Sequence, residues 1–246
     1  MTKRDLILRY AGSWLGFFWA IINPIVMIGI YWFVFGFGLK VRTVSDAPFI
    51  VWLMAGMAIW LSFAEIIMES TIAITNNSHL IKKISFPSEI LPIVKLLSAT
   101  FSHSIFLILL CILLAIHGYR PAFHFIQFFY YYTAMSFLAL GISWHTAAFH
   151  VFARDVSQLV QVILQILFWF TPIIWDLSIM PESIASLLRW NPIFYLVQGY
   201  RDSFISYTPF WSNWIGACCY WIFSLLVLYS GVRFFYRLQP HFDDSL

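Results

Sequence analysis

The stretch that decides the fold is residues 4–24, RDLILRYAGSWLGFFWAIINP, because it joins a two-sided helix to a hydrophobic span without a break. At helical spacing its large apolar residues fall on one side and its small and polar residues on the other. The apolar side comprises Leu6, Tyr10, Trp14, Phe17 and Phe18, and the polar side comprises Asp5, Arg9, Gly12, Ser13 and Gly16. A helix of this kind lies in a membrane surface. We therefore expect an interface helix over residues 1–17, followed by a membrane span.

The composition requires lipid as the solvent for most of the chain. Of the 246 residues, 61% are hydrophobic and 10% are charged, whereas a soluble domain carries about 25% charged residues. The three cysteines, Cys111, Cys218 and Cys219, lie in apolar segments without metal-ligand spacing, so we expect free thiols and no metal site. The basic start is not followed by a short apolar core and a cleavage site. The first span should therefore remain as an anchor.

Six stretches are long and apolar enough to cross a bilayer, which needs about 20 helical residues. They cover residues 18–39, 49–68, 91–116, 123–149, 159–177 and 211–235. No repeat or low-complexity segment divides them, so residues 1–246 are predicted to form one all-α membrane domain. Most of the 14 Lys and Arg residues fall on one side of this layout, together with both termini. The positive-inside rule makes that side the cytoplasm.

Two connections are longer than a hairpin requires. Residues 76–87, NNSHLIKKISFP, begin with three residues that suit a helix cap, Asn76, Asn77 and Ser78, and end at Pro87, which predicts a short cytoplasmic helix. Residues 181–204 begin with Pro181, which suits a first helical position, and Asn191-Pro192 interrupts them. They are too apolar for a solvated loop and too interrupted for a span. We expect a re-entrant helical hairpin that enters the membrane from outside.

The fifth predicted span carries a polar stripe. Gln158, Gln161 and Gln165 share one helical side, and Trp169 continues it. Amides on a membrane helix should not face lipid, because hydrocarbon offers them no hydrogen-bonding partner. They either bond neighbouring helices or line a wet path, and both roles are compatible if the helix lies at a subunit interface. Amides beside an aromatic ring suit sugars, whose hydroxyls pair with amides and whose apolar faces stack on rings.

The remaining ionisable and aromatic residues indicate packing more than chemistry. Glu65 and Glu69 share a helical side, where they form either a proton site or interfacial carboxylates paired with a base such as Lys95. The three histidines of the spans are expected to be packed or hydrogen-bonded; they are His103, His145 and His150. The aromatic run 128–132 is expected to pack or to form an interfacial belt, with a substrate contact left open. No phosphate-binding loop of the form GxxxxGK[ST] occurs.

Together these features resemble the membrane subunits of type-2 ABC exporters that move lipid-linked polysaccharides such as O-antigen, teichoic acid or capsule. The resemblance covers nearly the whole chain and depends on the order and spacing of short motifs. These are Arg4-Asp5-Leu6, Arg9-Tyr10, Gly12-Ser13-Trp14-Leu15-Gly16, Trp19, Asn23-Pro24, Phe86-Pro87, Arg154-Asp155-Val156 with Gln158, Pro172-Ile173, Asn191-Pro192 and Tyr200-Arg201.

The resemblance implies a role for each segment. The interface helix lies beside a separate ATPase, and the helix at 76–87 is a coupling helix that docks into it. The residues expected to contact the ATPase are Arg4, Asp5, Arg9, His79, Lys82, Lys83, Phe86 and Pro87. The hairpin at 181–204 is an external gate, with Pro181, Trp190, Asn191, Pro192, Tyr200 and Arg201 as its main residues. The first and fifth spans of two copies line the channel, which places Gln158, Gln161, Gln165 and Trp169 on it.

The expected protein is a permease, not an enzyme, in the bacterial inner membrane with both termini in the cytoplasm. Its expected partners are a second copy, two ABC ATPase subunits that bind ATP and Mg, a lipid-linked polysaccharide and membrane lipid, but no nucleic acid and no cofactor of its own. An exporter of a drug or small lipid is the main alternative. A proton-coupled transporter using Glu65, Glu69 and the histidines is another. A membrane enzyme acting on lipid-linked sugar lacks a convergent acid/base set.

Overall fold

The structure, a computed structural model, describes residues 1–2, 5, 16–40, 47–81 and 86–242. Most of the predicted interface helix over residues 1–17, including Arg4 and Arg9, lies outside the described residues, although Asp5 is placed. Lys82 and Lys83 of the predicted coupling helix also lie outside them. The described part of the chain is helical and contains no strand.

Eight helices of eight residues or more occur in the described ranges. They are α1 (Trp19–Tyr31), α2 (Phe49–Thr71), α3 (Ile90–Ile116), α4 (Gln127–Phe152), α5 (Val156–Phe170), α6 (Glu182–Arg189), α7 (Pro192–Arg201) and α8 (Trp214–Leu238). A π-helical segment, Trp32–Gly38, extends α1, and a 3-10 turn precedes each of α4 and α8. Two short helical turns, Ala73–Asn76 and Ser78–Ile81, follow α2.

Five helices in the described part of the chain are long and apolar enough to cross a membrane. With their extensions they are Trp19–Gly38, Phe49–Thr71, Ile90–Ile116, Phe123–Phe152 and Phe210–His241. These helices correspond to the first, second, third, fourth and sixth predicted spans. The all-helical membrane architecture is therefore confirmed.

The fifth predicted span, residues 159–177, has different bounds in the structure. Its helix, α5, has 15 residues and ends at Phe170, which gives a length of about 22 Å, against about 30 Å of hydrocarbon. The backbone of Thr171 is extended, as expected for a residue that precedes a proline, here Pro172. Residues 171–176 therefore do not continue the helix, and the expected continuous span is corrected to a shorter one.

The two long connections also differ in detail from their predicted form. Of the three residues expected to cap the cytoplasmic helix, Asn76 ends the first helical turn, Ala73–Asn76. Asn77 directly precedes the second turn, Ser78–Ile81. In the hairpin, α6 begins at Glu182, one residue after Pro181. Pro192 takes the first position of α7, and the Asn191 side chain caps it by accepting from the amide of Ile193. The prediction of two short helices separated at Asn191-Pro192 is confirmed.

Helix α2 is the centre of the bundle. Most of its residues are buried, and it contacts α1, α3, α4, α5 and α7. Helix α8 packs mainly on α4, where a Cβ added at Gly141 would lie 2.7 Å from the backbone nitrogen of Leu228. The two helices therefore approach backbone to backbone, as small residues allow in membrane proteins.

Both ends of the described chain lie at the same end of the bundle. Asp5 contacts Lys95 near the start of α3, and Gln239 donates a 2.9 Å hydrogen bond to Glu89, just before α3. The hairpin lies at the opposite end, where Gln127 at the start of α4 donates to the carbonyl of Thr208. This arrangement separates the predicted coupling region from the predicted gate.

Candidate functional site

Helix α5 has three distinct sides, which follow from its 3.6-residue period. The side made by Val160, Leu164 and Phe168 is buried against the bundle. The glutamine stripe, defined as Gln158, Gln161, Gln165 and Trp169, is exposed along its whole length. The aliphatic stripe, which is also exposed, comprises Leu159, Val162, Ile163 and Ile166. The structure thus brings the four predicted channel residues together on a side that the described chain leaves uncovered.

Helix α1 lies beside α5. The ring of Tyr31 packs 5.7 Å from that of Phe168, which in turn lies 5.7 Å from Trp60 of the central helix. Most large apolar side chains of α1 are exposed, including Ile25, Val26 and Ile30. We call the exposed sides of α1 and α5 the α1–α5 surface. It combines apolar area with a single row of amides.

Arg201 joins the hairpin to the end of α5. Its guanidinium donates to the carbonyls of Pro172 at 2.9 Å and Ile173 at 2.8 Å, two groups that are free because α5 has already ended. It also stacks on the ring of Trp52, with the guanidinium carbon 3.3 Å from the ring centroid. The side chain is only 3% exposed. This buried fork fixes the position of residues 171–176 relative to α2.

A second hairpin residue, Asn191, holds the same segment. Its side-chain amide donates to the Thr171 hydroxyl at 3.0 Å, while its oxygen caps α7. The end of α5 is therefore bound from both ends of α7. Any movement of α7 would have to displace the end of α5, or break these hydrogen bonds.

Tyr200 reaches the middle of the bundle. Its hydroxyl lies 2.8 Å from Nε2 of His103, at the midpoint of α3, and Nδ1 of His103 lies 3.2 Å from the carbonyl of Ala58. Since a carbonyl can only accept, Nδ1 of His103 is the donor to Ala58. His103 is buried and hydrogen-bonded, as expected. Nδ1 of His145 donates to the carbonyl of Gly141 in the same helix at 2.8 Å, and His150 is buried.

The other predicted gate residues lie on the outside of the hairpin. Pro181 is exposed just before α6, and Trp190, at the end of α6, is 70% exposed. Pro192 is half-buried at the first position of α7. Three of the six residues, Asn191, Tyr200 and Arg201, therefore bond to α3 or to residues 171–173. Pro181 and Trp190 are exposed.

An ionic cluster lies at the end of the bundle opposite to the hairpin. Lys95 Nζ lies 2.6 Å from Asp5 and 3.2 Å from Glu69, and its side chain is 13% exposed. Ser102 donates to Glu65. The expected pairing of Glu69 with Lys95 is confirmed, and Lys95 also holds Asp5 of the interface segment. Sequence reasoning missed the Asp5 contact, because these residues lie far apart in the chain and only packing brings them together.

The remaining predicted coupling residues surround this end. His79 and Pro87 are exposed, whereas Phe86 is half-buried and packs on a small core that includes Ile74, Leu91 and Phe235. Phe86 therefore attaches the connection between α2 and α3 to the base of α8. Among the described residues, no group of three or more His, Cys, Asp or Glu side chains is placed to hold a metal ion.

The apolar helices define the class of the protein as a multi-pass membrane protein. The chain belongs to the ABC-2 type transporter family, which it matches over residues 1–205. It is 23% identical to the O-antigen export system permease protein RfbA of Klebsiella pneumoniae over 253 residues, which cover 100% of this chain and 93% of that protein.

Two further relatives extend the comparison. The RfbA permease of Myxococcus xanthus is 28% identical over 206 residues, or 83% of this chain and 78% of the relative. The polysialic acid transport protein KpsM of Escherichia coli is 23% identical over 233 residues, or 94% of this chain and 89% of the relative. All three relatives carry names for the transport of a polysaccharide.

Proposed function

We propose that this chain is the permease subunit of an ATP-driven exporter of a polysaccharide on a lipid carrier. The observation that carries the proposal is the exposed glutamine stripe of α5, which ends in Trp169. Relatives named for O-antigen export and polysialic acid transport support a glycan cargo over a drug or small lipid. Membership of the ABC-2 family supports drive by a separate ATPase over coupling to protons through Glu65 and Glu69.

The channel would form between two copies of the chain. Lipid is a poor neighbour for amides, so the glutamine stripe needs either water or another protein surface. In our proposal the aliphatic stripe of α5 and the apolar side of α1 contact lipid or the second copy. The glutamine stripe then faces a wet channel, where amides and the Trp169 ring contact sugar weakly and repeatedly. Weak contacts suit a polymer, because a tight site would stop its movement.

We propose six membrane crossings, with α5 and residues 171–176 together forming the fifth. Helix α5 starts four residues after the end of α4, so it runs back from the end that carries Asp5 and Gln239. Arg201 then binds its far end to the hairpin. The contact between Tyr200 and the midpoint of α3 supports a hairpin that re-enters the membrane from outside. Both termini would lie in the cytoplasm of a bacterial inner membrane.

The ATPase would act at the opposite end of the bundle. ATP and Mg would bind to that partner subunit, which would contact the turns near His79 and the interface segment near Asp5. Phe86 and Lys95 connect these contact points to α8, α2 and α3. A displacement of the ATPase surface can therefore reach the bundle through side chains that are already packed or paired.

The double variant Gln161→Leu/Gln165→Leu tests the proposal. In cells that depend on this exporter, surface polysaccharide should fall, because Leu offers no hydrogen bond to a sugar hydroxyl. Val162→Leu/Ile166→Leu is a matched control on the aliphatic stripe of the same helix. Surface glycan is measured on whole cells, and immunoblotting compares the permease level of each variant. Normal export by the glutamine variant at a normal protein level would exclude the stripe as the channel lining.

A further inference from the structure

A cavity of about 670 Å³ lies at the hairpin end of the bundle. Its walls come from α4, the hairpin and the first turns of α8, so it is separate from the α1–α5 surface. Its volume is in the range of small-molecule binding sites, which hold a few polar groups within mainly apolar and aromatic walls. The proposed channel does not use this cavity.

The floor of the cavity presents hydrogen-bonding groups. Gln198 donates to one carboxylate oxygen of Asp202 at 2.9 Å, and both residues line the cavity. Burial raises the pKa of the Asp202 carboxyl, while the hydrogen bond from Gln198 and the charge of Arg201 lower it. The hydroxyl of Tyr195 lies 3.0 Å from that of Tyr130. Amide, carboxylate and hydroxyl groups thus converge on one side.

Aromatic rings form the walls beside these groups. Tyr195, at the centre, stacks on Tyr220 with 4.9 Å between ring centroids and lies 5.6 Å from Tyr131. Its ring is therefore held in place by α4 and α8 together. Trp190 lies at the mouth and is 70% exposed. Flat rings beside amide and carboxylate groups suit a sugar, because its ring carries both apolar faces and hydroxyls.

The charges of the cavity restrict the kind of sugar. Among the described residues that line it, the one permanent cation is Arg189, and Glu182 already pairs with it at 2.6 Å. The buried side contributes the carboxylate of Asp202. The nearby guanidinium of Arg201 is already bound to the carbonyls of Pro172 and Ile173, so a phosphate-rich polymer would meet this carboxylate without a free cation to pair with. A neutral or amino-containing sugar would be accepted.

We propose that this cavity binds a short stretch of a neutral or amino-containing glycan as it emerges at the outer end of the transporter. The inference rests on the proposed function, which supplies the glycan. It assigns to the tyrosine–glutamine–aspartate site between α4, α7 and α8 a role that is separate from the channel. Glycan held there is retained beside the gate.

Two adjacent cysteines allow a direct test. Cys218 and Cys219 are both exposed, but only Cys219 lines the cavity. The permease with Cys111→Ser/Cys218→Ser retains Cys219, and the matched control with Cys111→Ser/Cys219→Ser retains Cys218. Each is purified with its ATPase in lipid nanodiscs and treated with N-ethylmaleimide. The probe is delipidated oligosaccharide released from the host's own surface polysaccharide, and polyethylene glycol of similar length is the control polymer.

The oligosaccharide should slow labelling of Cys219 about threefold when its concentration is about twice its Kd, by simple mass action. Labelling of Cys218 should not change, and Gln198→Leu should remove the protection of Cys219. The cavity proposal would be overturned if the oligosaccharide left the labelling rate of Cys219 unchanged. It would also be overturned if N-ethylmaleimide failed to label Cys219 in the absence of the oligosaccharide. Export is measured separately in cells. Surface glycan that persists after deletion of the permease would instead refute the proposed function.

Discussion

Arg201 offers the sharpest test of the fold, because one buried side chain connects the hairpin, the end of α5 and the central helix. Arg201→Met keeps much of the length of the side chain but removes its charge and all of its donors. The carbonyls of Pro172 and Ile173 lose their partners, and Trp52 loses the stacked guanidinium. The variant should therefore loosen residues 171–176 while leaving the cores of α2 and α3 intact.

The expected loss of stability in Arg201→Met is the difference between the contacts that Arg201 makes and the cost of burying its charge. Each hydrogen bond from a charged donor contributes about 1.5–3 kcal/mol, and a desolvated cation–π contact about 2 kcal/mol. Burial of the guanidinium offsets several kcal/mol of this sum. A buried neutral acceptor that is left without a partner typically costs about 1–3 kcal/mol. Arg201→Met leaves two such carbonyls, and we take about 3 kcal/mol for the pair. For a chain of this size that corresponds to a fall of about 6–12 °C in melting temperature.

The melting temperature is measured on the detergent-solubilised permease by fluorescence-detected size exclusion. Arg201→Lys should fall between wild type and Arg201→Met, because an ammonium can bind one carbonyl but cannot form a planar fork or stack on a ring. Arg189→Met is a matched control, since Arg189 lies in the same hairpin but is exposed and pairs with Glu182, which is also exposed. A melting temperature for Arg201→Met equal to that of Arg189→Met would refute the proposed clamp.

Two further variants probe the bundle. Gly141→Ala should lower the melting temperature strongly, because the added Cβ would lie 2.7 Å from the backbone of α8. Gly29→Ala is the control and should not lower it, since a Cβ added there has no neighbour within 4 Å in the described part of the chain. Equal melting temperatures for the two variants would contradict the close crossing of α4 and α8. Lys95→Gln should reduce glycan export in cells while the purified complex still hydrolyses ATP, because Asp5 and Glu69 lose the cation that joins them. Lys95→Arg should retain export, and full export by Lys95→Gln would exclude the cluster from coupling.

The spans and the hairpin were predictable because local rules decide them. Hydrophobic stretches of about 20 residues become helices in lipid, where every backbone group must be satisfied within the segment. Proline and asparagine at 191–192 determine where α6 ends and α7 begins, since that pair suits a cap followed by a first helical turn. The same rule, applied to Pro172, would have placed the end of α5 correctly. Hydropathy alone obscured it, because residues 172–175 remain apolar after the helix has ended.

The contacts that connect the helices were not predictable, because they join residues that are far apart in the sequence and that only packing brings together. Nothing in the sequence near Lys95 indicates that Asp5 lies 2.6 Å away, and nothing near Arg201 identifies the carbonyls of residues 172–173 as its acceptors. The cavity beside Tyr195 likewise combines three separate stretches of sequence. Only the aromatic run at 128–132 gave a signal for it, and that run is equally typical of packing.

The three sides of α5 explain why the sequence could indicate a channel helix without identifying its neighbours. A helix inside a bundle buries all sides, and a helix at its edge presents one apolar side to lipid. Helix α5 buries one side and exposes two that have incompatible requirements, since Leu159 and Ile163 tolerate hydrocarbon whereas Gln161 and Gln165 do not. Such a helix is suited to a boundary between lipid or protein and water, and one chain does not complete that boundary. A second copy that covers the α1–α5 surface would complete it, and this requirement is the physical reason to expect that the transport path forms between two chains.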